Sequence, residues 1–453
     1  MAGMFGTDGV RARINTGPMT AEAVVRLALA AGRWFSDNKP AGRTGAPTVV
    51  IGKDTRLSGY MLESALVAGF TSIGMNCRLL GPLPTPAVAH LTTSLRADLG
   101  VMISASHNPH HDNGIKLFGP DGLKLNDAIE EEISQFAAGS IALAEATDLG
   151  RARRMLDSVG RYVEFAKARF PAGLRLDGMK IVVDCANGAA YRTAPSTLFE
   201  LGAEVIPIAV DPDGFNINEG CGAMHPEVMA AAVVTHGAHA GIALDGDADR
   251  LIMADENGRV INGDQVLGCL AGMMQAQGTL RGDAVVGTVM TNQGLERYLN
   301  SLDVTLHRAK VGDRYIMEQM RAHDLTLGGE PSGHVLLPSL SLSGDGLIAA
   351  LQMLAALKRS DKPASEIFAP FEPVPQKLVN LRDMDRAVLD QEAVKAGLAA
   401  VTERLGDTGR ILVRPSGTEP MVRVMVEADE EIALDTAMSE IILLLETESN
   451  KIK

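Results

Sequence analysis

Val101–Phe118 reads VMISASHNPHHDNGIKLF, an apolar stretch that ends at Ile103 and turns polar at Ser104. Ser106, His107 and Asn108 stand together there, and Pro109 blocks a regular helix. A hydroxyl on a loop leaving a strand is well placed to react, and Lys116 adds a cation that could carry a proton. The bland alternative is a turn with a serine helix cap, but the density of Ser, His, Asn and Lys favours chemistry.

A second cluster lies in Gly241–Ile252, GIALDGDADRLI, where Asp245, Asp247 and Asp249 alternate directly after an apolar strand. In an extended segment the three carboxylates face one way. They repel unless neutralised, and a hard divalent cation with oxygen ligands, Mg²⁺ at a phosphate site, answers that need. Glu256 stands at the twelfth position counted from Asp245, but Arg250 occupies the sixth, where the sharp turn needs Gly, so this is not an EF-hand loop. Arg250 follows at once and offers a fork for a phosphate or carboxylate.

Two more loops carry polar groups among glycines. Leu327–Val335, LGGEPSGHV, sets Glu330, Ser332 and His334 among glycines that permit close backbone approach, a set suited to a polyhydroxylated ligand or to a plain tight turn. Arg414–Arg423, RPSGTEPMVR, surrounds Gly417 with Arg414, Ser416, Thr418 and Arg423. Backbone N–H groups in such a turn form an anion nest that two guanidinium forks complete, whereas a hairpin with salt-bridged arginines is the structural alternative. No Gly-Lys-Ser/Thr follows, which excludes a Walker loop. A hydroxyl nucleophile, a three-carboxylate cation site, a polyol loop and a phosphate nest together point to phosphoryl transfer on a sugar phosphate.

Something must bring these loops to one place. Three segments read as strand–helix–strand units: TVVIG at Thr48–Gly52, a helix from Tyr60 to Ile73 and a strand at Cys77–Leu80; KIVVD at Lys180–Asp184, a helix to Leu201 and EVIPI; DAVVGTV at Asp283–Val289, a helix through Leu299 and VTLHRA. Units of this size are βαβ crossovers, and their recurrence suggests three related α/β domains. The C-terminal part differs. It reads as a strand over Phe371–Leu381, a helix over Asp390–Leu405, strands at Arg410–Arg414 and Met421–Glu427, and a closing helix over Glu430–Glu446. The expected fold is three related α/β domains plus a smaller C-terminal α+β domain around a central cleft. The boundaries fall at 1–150, 151–257, 258–370 and 371–453, with the Ser106 loop, the metal loop, the polyol loop and the phosphate loop one to each.

Composition narrows the partners. The 453 residues carry 42 Lys and Arg against 56 Asp and Glu, a net charge of −14, and only 4% aromatics. A generic nucleic-acid or anionic-membrane binder is disfavoured, while a few arginines can still make a cleft locally positive. Cys77, Cys185, Cys221 and Cys269 form no C-x-x-C pair, so reduced thiols are expected. Residues 1–10 show no signal-peptide pattern and no apolar run is long enough to span a bilayer, so a cytoplasmic location is expected.

The motifs in sequence order resemble those of the α-D-phosphohexomutase superfamily over the full chain: FGTDGVR at Phe5–Arg11, ISASHNP at Ile103–Pro109, DGDADR at Asp245–Arg250, KVGDRY at Lys310–Tyr315, GGEPSGH at Gly328–His334 and RPSGTEP at Arg414–Pro420. FGTDGVR, NINEGCGAMHPE at Asn216–Glu227 and AKVGDRY resemble the glucosamine branch. The resemblance implies interconversion of glucosamine 6-phosphate and glucosamine 1-phosphate through a sugar 1,6-bisphosphate, supplying amino-sugar nucleotide and cell-wall precursor synthesis. The alternative within the family is a phosphomannomutase or phosphoglucomutase. It implies Ser106 carried as phosphoserine and one Mg²⁺ held by its phosphate with Asp245, Asp247 and Asp249. Glu330 and Ser332, with Arg250, would bind the sugar, and Arg414, Ser416, Gly417, Thr418 and Arg423 the non-reacting phosphate. Lys116 and His334 match proton-transfer positions, and Arg11 one near the phosphoserine. A homodimer is the candidate assembly. Two residues depart from the pattern: Ala12 where Gly is usual, and Pro331 where Gln is more common, which predicts a stiffer sugar loop. A serine esterase fits poorly, because no G-x-S-x-G elbow is present and three clustered Asp have no acyl-transfer role.

Overall fold

The computed structural model describes residues 5–6, 9–39, 45–415 and 421–452. The described residues form four sheets. In the first, the β-branched run Thr48–Lys53 sits centrally, parallel to Asn76–Pro82 and to Leu99–Ile103, with Asp112–Phe118 and Val10–Arg13 added antiparallel on one side. Buried on both faces, Thr48–Lys53 and Leu99–Ile103 read as nearly continuous apolar runs. Helices Ala21–Asp37 and Ser58–Ser72 pack together where Gly69 lies; a Cβ there would stand 2.8 Å from the Val25 carbonyl oxygen.

The second sheet sets Lys180–Asp184 parallel to Glu204–Ile208 and Ala240–Leu244, and the last of these turns back into Leu251–Asp255 as a hairpin. The third pairs Ala284–Thr288 with Thr305–Ala309 in parallel and ends in a short hairpin of Gly328–Gly329 with Val335–Leu336. One continuous apolar core runs through these three units, from Val50 and Phe118 through Ile181 and Leu244 to Leu267 and Leu351. The C-terminal unit has its own core, where Met421–Ala428 lies between Gln376–Arg382 and Gly409–Pro415, all antiparallel, against helices Glu392–Leu405 and Glu431–Ile452.

Several expectations need correcting. The strand expected over Phe371–Leu381 starts only at Gln376, because Pro373 and Pro375 lack donors and the intervening Val374 is held elsewhere. Its N–H donates to Asn292 Oδ1 and its carbonyl accepts from Asn292 Nδ2, both at 2.9 Å. The closing helix runs on past Glu446 to Ile452. Two short strands are not expected from the sequence at all: Ala152–Arg154 joins the first sheet and Val260–Ile261 the second. Strands of two or three residues are too short to show periodicity.

Candidate active site

Leu99–Ile103, buried throughout, delivers the Ser106 loop to the C-terminal edge of the first sheet. Ser106 is buried and takes a left-handed φ of 52°, uncommon for a residue with a side chain. Its N–H donates to Ser104 Oγ at 2.9 Å, and its own Oγ donates to Asp245 Oδ2 at 2.6 Å. His107 Nδ1 lies 3.4 Å from the same Oγ. Burial, with Arg250 and Arg11 nearby, drives the His107 pKa down to about 4, which keeps the ring neutral at neutral pH.

The three aspartates belong to the connection between Ala240–Leu244 and Leu251–Asp255. They converge by a different route from the extended alternation expected. The loop turns, with Ala248 at φ 59° and its N–H donating to the Asp245 carbonyl at 3.0 Å. A two-strand hairpin must reverse its direction here, and the reversal gathers the carboxylates instead of a pleat aligning them. One oxygen from each lies within 4.8 Å of the others, and all three residues are buried. Lys116 Nζ sits beneath them, 2.9 Å from Asp247 Oδ2 and 3.2 Å from Asp249 Oδ2, and Thr85 Oγ1 donates to Asp247 at 2.6 Å. Asp247 Oδ1 and Asp249 Oδ1 are buried with no hydrogen-bond partner. Burial, then the charges of Asp249 and Asp247, raise the Asp245 pKa. Burial also works against ionisation of Asp249, but Lys116 and His334 outweigh it and hold that carboxyl well below the usual range. Unpartnered, buried, hard oxygen donors at this spacing fit a divalent cation.

The sugar loop leans on this hairpin. Leu251 N–H donates to the Gly333 carbonyl at 2.9 Å, and Arg250 forms an isolated bridge with His334. Gly333 is required at its φ of 90°, since a Cβ would stand 2.2 Å from the Leu251 oxygen. His334 Nδ1 is 3.6 Å from Asp249 and its Nε2 3.6 Å from Asp313. Burial lowers the His334 pKa, yet Asp249, Asp313 and Glu330 together leave it raised. Glu330 accepts from the Gly312 N–H at 2.9 Å and from Ser332 Oγ at 3.1 Å. Ser106, Arg11, Asp249, Arg250, Glu330 and His334 line one cleft of about 560 Å³, together with Gly312, Asp313 and Arg314. Lys116 does not reach its wall.

Arg414 and Arg423 do not line that cleft. They face each other in register across neighbouring strands of the C-terminal sheet. Burial, then the Arg423 charge, lowers the Arg414 pKa, and Arg423 Nε is buried without a partner. Ser416, Gly417 and Thr418 lie outside the described residues. Sequence reading missed Thr85, which carries no local signal. It also passes over Arg56 and uses Asn218 only as part of a branch motif, although both residues touch the Ser106 loop.

Four segments match one set of family descriptions in chain order: phosphoglucomutase/phosphomannomutase alpha/beta/alpha domain I over residues 2–141, domain II over 160–258, domain III over 262–374 and the C-terminal domain over 378–443. The chain belongs to the phosphoglucomutase/phosphomannomutase family. Within it, a phosphoglucosamine mutase of Paracoccus denitrificans is 57% identical over 446 residues, 98% of each chain. A family protein of Burkholderia thailandensis has a crystal structure that superposes with a TM-score of 0.82 at 24% identity, over 98% of this chain and 97% of that one. The N-acetylphosphoglucosamine mutase of Aspergillus fumigatus, solved with GlcNAc-6P and magnesium, shares the fold with a TM-score of 0.66 at 17% identity, over 98% and 96%. The family's arrangement of three α/β domains and a C-terminal domain is the one described above.

Proposed function

We propose that the chain is a phosphoglucosamine mutase that interconverts glucosamine 6-phosphate and glucosamine 1-phosphate through phospho-Ser106 and a sugar 1,6-bisphosphate. The observation that carries the reading is Ser106 Oγ at 2.6 Å from Asp245, at the edge of a buried three-carboxylate site and on the wall of a cleft. The near full-length likeness to a phosphoglucosamine mutase supports the sugar. Domain edges near residues 150, 257 and 370 are part of the proposal, as is Mg²⁺. Asp245, Asp247, Asp249 and the Ser106 phosphate would hold the ion, which when bound supplies charge neutralisation for the moving phosphoryl group.

The residues divide the remaining work. The phosphoryl group leaves Ser106 Oγ as the sugar C1 hydroxyl oxygen attacks it, and returns from C6 after the bisphosphate has turned over. Glu330 and Ser332 accept sugar hydroxyls, and Arg250 holds charge at the cleft wall. His334 carries a proton at the cleft, with its pKa held up by three carboxylates. Lys116 holds Asp247 and Asp249 from behind the cleft wall, so any proton it exchanges with the cleft passes through the Asp249 carboxylate it pairs with. Arg11 faces the same cleft near Ser106. Arg414 and Arg423, with Ser416, Gly417 and Thr418, receive the phosphate that does not react. Two guanidinium groups directly opposite each other repel, and an anion between them relieves the repulsion.

Intact-mass and peptide mapping should find one phosphate on Ser106. A substrate panel should give the highest kcat/KM for glucosamine phosphate. A preference for mannose or glucose phosphate would move the chain to a sister activity, and no phosphate on Ser106 in an active enzyme would end the phosphoserine reading. No described helix is long and apolar enough to cross a membrane.

A further inference from the structure

The Ser106 main chain is gripped from two domains. Its carbonyl oxygen accepts from Arg56 Nη2 at 3.1 Å and from Asn218 Nδ2 at 3.0 Å. The same two groups also donate to the Asn108 carbonyl, Asn218 at 3.2 Å. Arg56 comes from the first α/β unit. It is almost wholly buried and its guanidinium is paired with Asp54. Asn218 comes from the second unit, is buried, and itself sits at a left-handed φ of 60°, a conformation Asn adopts readily. On its far side the Ser106 carbonyl rests against the metal hairpin: a Cβ on Gly246 would lie 2.6 Å from that oxygen and 2.8 Å from Asn218 Nδ2.

A serine at φ 52° is strained and persists only if its surroundings over-determine it. Here two carbonyls of one turn are each held by two buried donors. We infer that Arg56 and Asn218 are positioning residues that lock the Ser106 backbone in its left-handed conformation and so aim Oγ at the metal-binding carboxylates. Neither donor touches the Oγ, and neither lines the cleft. Their effect passes through the main chain of the Ser106–Asn108 turn. The inference rests on the reading of Ser106 as the phosphoryl carrier, and it gives the Asn216–Glu227 motif a physical task.

Asn218→Asp is the informative variant. It keeps the shape and the tolerance of left-handed backbone, but turns an oxygen toward two carbonyl oxygens. Asn218→Ala merely removes the donor. The expected order of kcat is wild type, then Asn218→Ala, then Asn218→Asp. The aspartate variant should lose at least about tenfold in kcat, while KM for glucosamine 6-phosphate stays within about twofold, and the loss should persist at assay temperatures well below the variant's melting temperature. Arg56→Lys, which keeps the charge beside Asp54 but loses the forked donor, should also lower kcat at near-constant KM. If Asn218→Asp is as active as Asn218→Ala or better, or if kcat falls only in step with melting temperature, the two residues fill space and the inference fails. Hydrogen exchange at the Ser106 and Asn108 amides needs no substrate and separates this from failure of the mutase reading. Faster exchange in Asn218→Ala than in wild type is required even if the wild-type chain turns over no glucosamine phosphate, and unchanged exchange overturns the inference.

Discussion

Lys116 occupies the position from which a cation would neutralise Asp247 and Asp249, with its ammonium 2.9 and 3.2 Å from them and itself buried. Breaking a buried ion pair by removing one partner costs about 3–5 kcal/mol, because the other charge stays behind. Lys116→Gln should therefore melt well below wild type in chelator, and added Mg²⁺ should raise its melting temperature more than it raises that of wild type. Equal Mg²⁺ shifts in the two proteins would show that the ammonium and the divalent ion do not serve the same carboxylates. Ser106→Ala removes a loop hydroxyl that adds little to any core, so turnover should vanish while the melting temperature stays close to wild type. The hydroxyl does donate to Asp245, so a small change in either direction is consistent. Near-native activity in a clean preparation of this variant would sink the phosphoryl-carrier role.

Glycines set the distances between elements around the cleft. Gly263 opens the helix Gly263–Ala276, and a Cβ there would stand 2.2 Å from the Glu330 carbonyl oxygen and 2.6 Å from the Gly333 nitrogen. Both are backbone atoms and cannot swing aside. Gly263→Ala should push the sugar loop outward at a cost of about 1–3 kcal/mol and raise KM for the sugar phosphate, while calorimetric Mg²⁺ affinity is unchanged. A KM equal to wild type would show that the loop tolerates the shift. The same scale explains what a reader of the sequence could see. The apolar runs Thr48–Lys53, Lys180–Asp184 and Ala284–Thr288 announce themselves because they are buried on both faces, and the loops they feed are dense in reactive types. The turn at Ala248 was not visible, since alanine gives no sign of a left-handed conformation. Nor were Thr85, Arg56 and Asn218 visible as site residues. Their significance comes from partners 50 to 162 residues away, which no local spacing encodes.

At the scale of the molecule, the second and third units are joined by a buried polar contact. Tyr162 Oη donates to Asp345, 2.9 Å from both carboxylate oxygens, and Asp345 also caps the helix Gly346–Arg359 through the Ile348 N–H. Burial raises the Asp345 pKa to about 7. The folded chain thus keeps a proton that the unfolded chain releases near pH 4, so stability is greatest at low pH in this window and falls as pH rises toward and through 7. The ceiling on this contribution is about 4 kcal/mol. Asp345→Asn keeps an oxygen acceptor and a cap but cannot titrate. Its urea midpoint should fall less than that of wild type between pH 5 and pH 8, and parallel pH profiles would refute the assignment. In the C-terminal unit, Arg423→Ala should raise KM for the sugar phosphate more than it alters Mg²⁺ dependence, because its guanidinium faces Arg414 and not the carboxylates. Unchanged KM and kcat would make this strand pair a structural hairpin only.

The clasp of Asn292 on Val374 divides the linker into two stretches with different tolerance for added or lost residues. Upstream of Val374, the Phe371 carbonyl accepts from Gln265 and Glu372 pairs with Arg259, so an extra residue finds room only in the short stretch between Phe368 and Phe371, and everything beyond keeps its place. Downstream, only Pro375 separates the clasp from Gln376, where pairing with Glu427 begins. One residue inserted there either bulges at once or slides Gln376–Arg382 by one place against Met421–Glu427, which turns each of its side chains to the opposite face. Length variation among descendants of this sequence should therefore collect before Val374 and be absent just after it.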